Sequence, residues 1–394
     1  MISQKTIQEV VETAKVEDVV GDYVNLKRSG SSMKGLCPFH NEKTPSFMVS
    51  PGKNIYKCFG CGKGGDPIRF MMDHDAMSYP EAIRHLAGRY NIEIEELQTS
   101  QASKEEKRKL DDLHALNQYA HDHFIHQMWQ TDYGKSIGLG YFKDRGFREE
   151  TIKKWGLGFA PDKKNDFILR STNDGYQLEQ LQKIGLASKS GYDFYRGRVM
   201  FPIRNISGKV IGFGGRVLAK NAKTAKYLNS IDSEVYNKSR VLYGIHFARQ
   251  PIRKVDECLM VEGYTDTIAL HQAGIENVVA PCGTSLTPDQ IRLVKRYTPN
   301  LTFLFDGDAA GKKAALRGLD MVLEQDMNVK VVLLPEGEDP DSLLQQLGST
   351  KFEEFITRNK KDFILFKTDL LLEEAGNDPI KKAELIKDIV ASIA

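Results

Sequence analysis

The sequence predicts a multidomain chain of the α+β and α/β classes: a small domain built around a Cys/His cluster, a mixed α+β region, then a parallel sheet flanked by helices. Three observations predict it. Three cysteines and a histidine fall between residues 37 and 61, buried-strand runs alternate with helices from residue 257 onward, and 394 residues exceed one ordinary domain.

The composition is that of a globular protein, with 41% apolar and 27% charged residues, and no run approaches the ~18 apolar residues of a membrane span. The N-terminal stretch MISQKTIQEVVETAKVEDVV reads as an amphipathic helix. Its four acidic residues, and the absence of a basic n-region and apolar h-region, set it apart from a signal peptide. A cytoplasmic location without membrane contact is expected. An odd count of five cysteines, three of them clustered with a histidine, favours a reducing compartment and a metal site over disulfides.

Charge is unevenly placed. Residues 189–240 hold 11 Lys/Arg against 3 Asp/Glu, and residues 256–345 hold 7 against 15. A basic stretch followed by an acidic block suits one surface that holds phosphates and another that holds cations; charge alone leaves open that both are solvated faces.

In the first domain, residues 23–60 read as short strands and turns. Residues 66–90 read as helix, with Asp66 placed to cap and Pro67 in the first turn. LQTSQASKEEKRKL, residues 97–110, has almost no apolar content and reads as a flexible tether. A helix follows over 111–130, then mixed helix and loop, then a β-hairpin over 198–218 with its turn at Asn205 to Gly208. From 257, ECLMVEG, NVVAPCGT, NLTFLFDGD and NVKVVLLP are buried strands separated by helices, the pattern of a parallel sheet.

Cys37-Pro-Phe-His40 and Cys58-Phe-Gly-Cys61 supply four ligands in two pairs with two-residue spacers. That arrangement closes a tetrahedron around Zn²⁺ and leaves no position for water, so the zinc is structural. Basic residues interleaved with aromatics around it, Lys57 and Arg69 among them, suit single-stranded nucleic acid. Phe39, Phe47 and Phe59 are expected to form mostly core, leaving the cations as the contact surface. His121, His123 and His126 read as a solvated helix surface, because no acidic or cysteine partner is placed with them.

Glu262 ends one strand run, Asp306 and Asp308 end a second, and Asp339 and Asp341 follow a third, so all five should project from the C-terminal edge of the sheet. Crowded carboxylates repel one another, and a bound divalent cation resolves this. Hard oxygen ligands point to Mg²⁺ or Mn²⁺, and two such ions would suit phosphoryl transfer. Asp266 reads rather as a helix cap.

CPFHNEKTPSF followed by CFGCGKGGD resembles the zinc-binding domain of DnaG-type bacterial primases. RVMFPIR, VIGFGGR, KYLNS, KSRVLYG, VEGYTD, FDGDAAG and GEDPD resemble their RNA polymerase domain, in the same order. The resemblance implies a zinc ribbon over 1–96, a flexible linker over 97–112, an N-terminal subdomain with a basic groove over 113–255, a toprim catalytic subdomain over 256–345, and the start of a helical subdomain over 346–394. It implies a DNA-templated RNA polymerase that makes short RNA primers on single-stranded DNA, with ribonucleoside triphosphates as substrates, working at replication forks in the nucleoid. Cys37, His40, Cys58 and Cys61 would be the zinc ligands. Glu262, Asp306 and Asp308 would be catalytic, and together with Asp339 and Asp341 would hold the catalytic metals. Arg145, Arg198, Arg216, Lys226, Tyr227 and Lys238 match positions of the basic groove. Full-length members continue into a helical region that binds the replicative helicase, whereas this sequence ends at Ala394 within the helix-like stretch LIKDIVASIA; the expectation is that either the sequence is a fragment or it lacks direct helicase recruitment, and a single-stranded DNA-binding protein is a further expected partner. Two alternatives stay open at this point: a toprim nuclease or topoisomerase, and a non-catalytic single-strand binding module.

Overall fold

A computed structural model describes residues 2–75, 77–95, 101–219, 224–283, 285–306 and 321–375. The chain forms two compact units, Met1–Lys107 and Arg108–Ala394.

In the first unit the N-terminal amphipathic stretch is two helices, α1 (Gln4–Thr13) and α2 (Val16–Gly21). The expected single helix breaks because Ala14 and Lys15 are extended and Asn54 grips the gap, accepting from the Val16 amide at 2.7 Å and donating to the Ala14 carbonyl at 2.8 Å. An antiparallel sheet follows in sequential order: β1 (Lys27–Ser29), β2 (Ser32–Gly35), β3 (Phe47–Ser50), β4 (Ile55–Cys58) and β5 (Gly64–Gly65). Helices α3 (Pro67–Asp75) and α4 (Tyr79–Arg89) complete it, and the Asp66 carboxylate caps α3 by accepting from the Arg69 amide at 2.7 Å. Strand alternation sends Phe47, Val49, Tyr56 and Cys58 inward against Phe70 and the buried valines of α1 and α2.

Helix α5 (Gln101–Gln130) begins in the last residues of the first unit and continues into the second, so the expected tether is helical from Gln101 onward, and residues 97–100 lie outside the described residues. Then come α6 (Gly140–Asp144), α7 (Glu149–Trp155), β6 (Gly158–Ala160), α8 (Asp166–Asn173) and α9 (Leu178–Lys183). The hairpin is β7 (Arg198–Arg204) and β8 (Val210–Val217), with β9 (Tyr227–Asn229) added alongside to give an antiparallel sheet ordered β6-β7-β8-β9. The turn falls where the sequence places it: Gly208, at φ +91°, donates to the Asn205 carbonyl at 3.0 Å. Strand β7 is buried on both faces. Val199, Phe201 and Ile203 enter a core shared with Leu259 and Tyr264, while Met200 enters another with Leu116 and Phe124.

The remaining elements are β10 (Leu242–Tyr243), α10 (Ile245–Val255), β11 (Cys258–Met260), α11 (Tyr264–Gln272), β12 (Val278–Pro281), α12 (Pro288–Lys295), β13 (Asn300–Phe305), β14 (Asn328–Leu333), α13 (Pro340–Asn359), β15 (Lys361–Asp362) and α14 (Phe363–Ala375). The sheet runs β10-β12-β11-β13-β14-β15. Its four central strands are parallel, as the alternation predicts. Both edge strands are antiparallel, and at two residues each they are too short for periodicity to reveal. Residues 376–394 of the expected helical subdomain lie outside the described residues. Within those described, no helix is long and apolar enough to cross a membrane.

Candidate metal centres and nucleic-acid interface

The two ligand pairs of the first unit converge. One donor atom from each of Cys37, His40, Cys58 and Cys61 lies within 4.8 Å of all the others. Cys37 Sγ to Cys61 Sγ is 3.8 Å, which matches the edge, about 3.8 Å, of a tetrahedron with ~2.3 Å Zn–S bonds, and Cys58 Sγ to His40 Nδ1 is also 3.8 Å. The knuckle backbone supports the thiolates: Phe39 N donates to Cys37 Sγ, and Gly60 N and Cys61 N to Cys58 Sγ, at 3.3–3.4 Å. Although burial opposes it, the Ser46 hydroxyl and these amides lower the Cys58 thiol to about 7, while burial pushes Cys37 up. Cys58 is therefore offered to the ion as a thiolate more readily than Cys37.

Glu42 was not among the expected residues, yet it organises the site. Its Oε1 accepts from the amides of Cys37 and Ser46 at 2.8 and 2.9 Å, and its Oε2 sits 3.2 Å from His40 Nε2, which leaves Nδ1 for the metal. A carboxylate two residues past a ligating histidine was the signal available in the sequence. Lys57 and Arg69 are exposed, Lys57 Nζ donating to Gly62 O at 2.7 Å and Arg69 Nε to Asp73 at 3.1 Å. Phe39 and Phe47 pack with Tyr56 and Phe70 as expected. Phe59 does not: it is 75% exposed, because the knuckle turns its side chain away from the small core.

In the second unit the ends of β11, β13 and β14 lie along one edge of the parallel sheet. Glu262 stands exposed two residues beyond β11, Asp306 follows β13 directly, and Asp339 is the N-cap of α13, its carboxylate accepting from Ser342 N at 2.7 Å. Asp341, buried in the first turn of α13, accepts from Arg145 Nη1 and Gln345 Nε2, both at 2.9 Å. Asp308 lies outside the described residues.

The capping role read for Asp266 is corrected. The N-cap of α11 is Gly263 and makes no side-chain cap bond, while Asp266 is buried. Burial, then the negative charges of Asp339, Asp306 and Asp341, push its carboxyl up to about 7. Four aspartates thus share one neighbourhood. Sequence spacing could place Asp266 on the helix but not aim it at the other strand ends.

Three of the expected groove residues gather around Tyr141, and one of them, Arg145, is bonded to Asp341. Arg145 and Arg216 both lie over the Tyr141 ring, 5.7 and 4.8 Å from its centroid, and Arg216 is paired in register with Tyr227. Tyr141 was not among the expected residues. Lys226 is exposed next to Tyr227, and Lys238 is exposed on the loop before β10, its amide donating to Asp232 at 2.9 Å. Arg198 is only 3% exposed, its guanidinium committed to protein acceptors.

The histidines of α5 are not a solvated surface. His121 is buried and bonds the Gly156 carbonyl through Nε2 at 2.9 Å, and His123 is buried against Phe167 and 3.4 Å from Asp166; His126 alone is exposed.

Three family models match the chain in order: CHC2 zinc finger over residues 2–102, DNA primase catalytic core, N-terminal domain over 123–249, and Toprim-like over 259–344. A solved structure of the Aquifex aeolicus primase, zinc-binding and RNA polymerase domains, is 32% identical, with a TM-score of 0.62 over 98% of this chain and 92% of that one. The chain belongs to the DnaG-type bacterial primases. The DNA primase of Clostridium acetobutylicum is 39% identical over 393 residues, 99% of this chain and 64% of that protein. The chain therefore spans less than two thirds of the length of that curated primase. A DnaG primase catalytic domain solved bound to single-stranded DNA is 32% identical, with a TM-score of 0.66 over 73% of this chain and 92% of that one. The Cys/His quartet lies within the stretch matched by the CHC2 zinc finger model.

Proposed function

We propose that this chain is a DNA-templated RNA polymerase that makes short RNA primers on single-stranded DNA. The observation that carries the reading is the cluster of Asp266, Asp306, Asp339 and Asp341 at the sheet edge, with Arg145 and Arg216 beside it. The single strand held by the related catalytic domain supports the template class.

The donor set fits hard divalent cations such as Mg²⁺ or Mn²⁺. Burial first, and then the neighbouring carboxylates, make the Asp266 anion costly, and its raised carboxyl reflects both. Asp306, Asp308, Asp339 and Asp341 would hold the ions together with Glu262, and Asp266 adds a sixth acid. Bound there, divalent ions supply activation of a 3′-hydroxyl and neutralisation of the departing pyrophosphate. The chain's own cations do the rest. Arg216 and Lys226 attract template and nucleotide phosphates to the groove beside the acids, and Tyr227 offers a ring edge next to them. Arg145, tied to Asp341, orients that carboxylate. The zinc unit, with Lys57 and Arg69 exposed and Phe59 available for stacking, engages the template separately and helps select the start site.

Incorporation of labelled ribonucleotides on single-stranded DNA tests this. Glu262→Gln should lose synthesis while retaining DNA binding, and Cys58→Ser should lose initiation. Cleavage without labelled RNA, or full synthesis by Glu262→Gln, refutes the assignment.

A further inference from the structure

The Arg198 guanidinium lies below the surface of the basic groove. Its Nη1 donates to Gly215 O at 2.9 Å and Lys226 O at 3.3 Å, and its Nη2 to Ala225 O at 3.0 Å and Thr224 Oγ1 at 3.3 Å. Both terminal nitrogens are thus occupied by acceptors on β8 and on residues 224–226. Among the described residues no carboxylate pairs with it. A cation buried without a counter-ion costs several kcal/mol unless hydrogen bonds replace its hydration, and a planar fork meets several carbonyls where an ammonium cannot. Glycine at 215 makes the approach available: a Cβ there would lie 3.1 Å from Arg198 Cδ and 2.7 Å from the Tyr195 ring.

The segment held in this way ends at Lys226, whose carbonyl also accepts from the Val217 amide at 3.0 Å and whose side chain is exposed. Tyr227 follows directly, in register with Arg216. Fixing the carbonyls of 225 and 226 fixes where the Lys226 and Tyr227 side chains leave the backbone.

We propose that Arg198 is a positioning residue, which anchors residues 224–226 so that Lys226 is presented to nucleic-acid phosphates, and is not itself a phosphate ligand. The proposal rests on the groove reading given above for Lys226.

Two measurements on the full chain test it. The first is hydrogen exchange of the Val217 amide in the absence of DNA. Arg198→Lys, which keeps the charge but cannot bridge the same acceptors, should accelerate it several-fold; unchanged exchange overturns the anchoring role. The second is the salt dependence of single-stranded DNA binding by Arg198→Lys, Lys226→Ala and the double variant. Each lost phosphate contact lowers the slope of log K against log salt by about 0.7. Each single variant should lose that amount and the double variant no more. A second loss of about 0.7 in the double variant overturns the proposal, since Arg198 would then hold a phosphate of its own. If Lys226→Ala leaves the slope unchanged, it is the groove reading that fails, and the exchange result alone decides the role of Arg198. Should Arg198→Lys not fold, Thr224→Val removes one acceptor and leaves the guanidinium intact. A smaller acceleration in the same direction supports anchoring, and none refutes it.

Discussion

Arg145 Nη1 donates to Asp341 Oδ2 across 2.9 Å and so ties the end of α6 to the first turn of α13. Gln345 completes the clamp by donating to the Asp341 carboxylate and to the Arg145 carbonyl. Asp341 is nearly buried and Arg145 about a quarter exposed, so the pair is shielded from screening by salt.

Removing one partner strands the other. Arg145→Gln should destabilise the second unit by about 1–3 kcal/mol, and Arg145→Gln with Asp341→Asn should recover part of the loss. Denaturant unfolding of the four proteins measures the coupling; additive losses would show that the two side chains do not interact.

Asp266 makes stability depend on pH. Its folded-state carboxyl is raised to about 7 from the ordinary 3.8, so between those values the folded protein holds a proton that the unfolded chain has released. Its contribution is fully present below pH ~4 and is lost as pH rises towards 7, with a slope of at most about 1.4 kcal/mol per pH unit. In magnesium-free buffer the Tm of the native sequence should therefore fall from pH 5 to pH 7 relative to Asp266→Asn. Equal pH profiles for the two proteins would contradict the raised carboxyl.

Glu42 steadies the zinc quartet from outside it. Glu42→Gln keeps the shape but removes the charge facing His40 Nε2, and should weaken zinc retention by roughly 10–100-fold. Competition with a chromophoric chelator reads this directly, and retention equal to that of the native sequence would refute it.

Gly283, at φ +70°, lies against Asn229, whose amide donates to Cys282 O at 3.2 Å and whose Oδ1 accepts from Tyr264 at 2.7 Å. A Cβ at 283 would stand 2.0 Å from Asn229 Nδ2. Gly283→Ala should cost roughly 1–3 kcal/mol, through both the backbone conformation and the clash. Adding Asn229→Ala should relieve the clash and leave the backbone part, as equilibrium unfolding can show.

The sequence by itself determined the features encoded locally. Two-residue spacers fix the geometry of each ligand pair, so Cys37, His40, Cys58 and Cys61 could be read before any fold was known. The runs before Glu262, Asp306 and Asp339 are buried strands with polar ends, and in a parallel sheet such ends share an edge. The Asn205–Gly208 turn and the Asp66 cap follow in the same way from short-range backbone chemistry.

The tertiary structure alone decided what depends on partners distant in the chain. Asn54 breaks the N-terminal helix from 40 residues away. Asp266 joins the acids because α11 packs its first turn against the other strand ends, and Arg198 turns from a surface cation into an anchor because β8 and residues 224–226 close over it. A side chain's type limits what it can do, but burial and the acceptors that other segments bring to it determine which of those things it does.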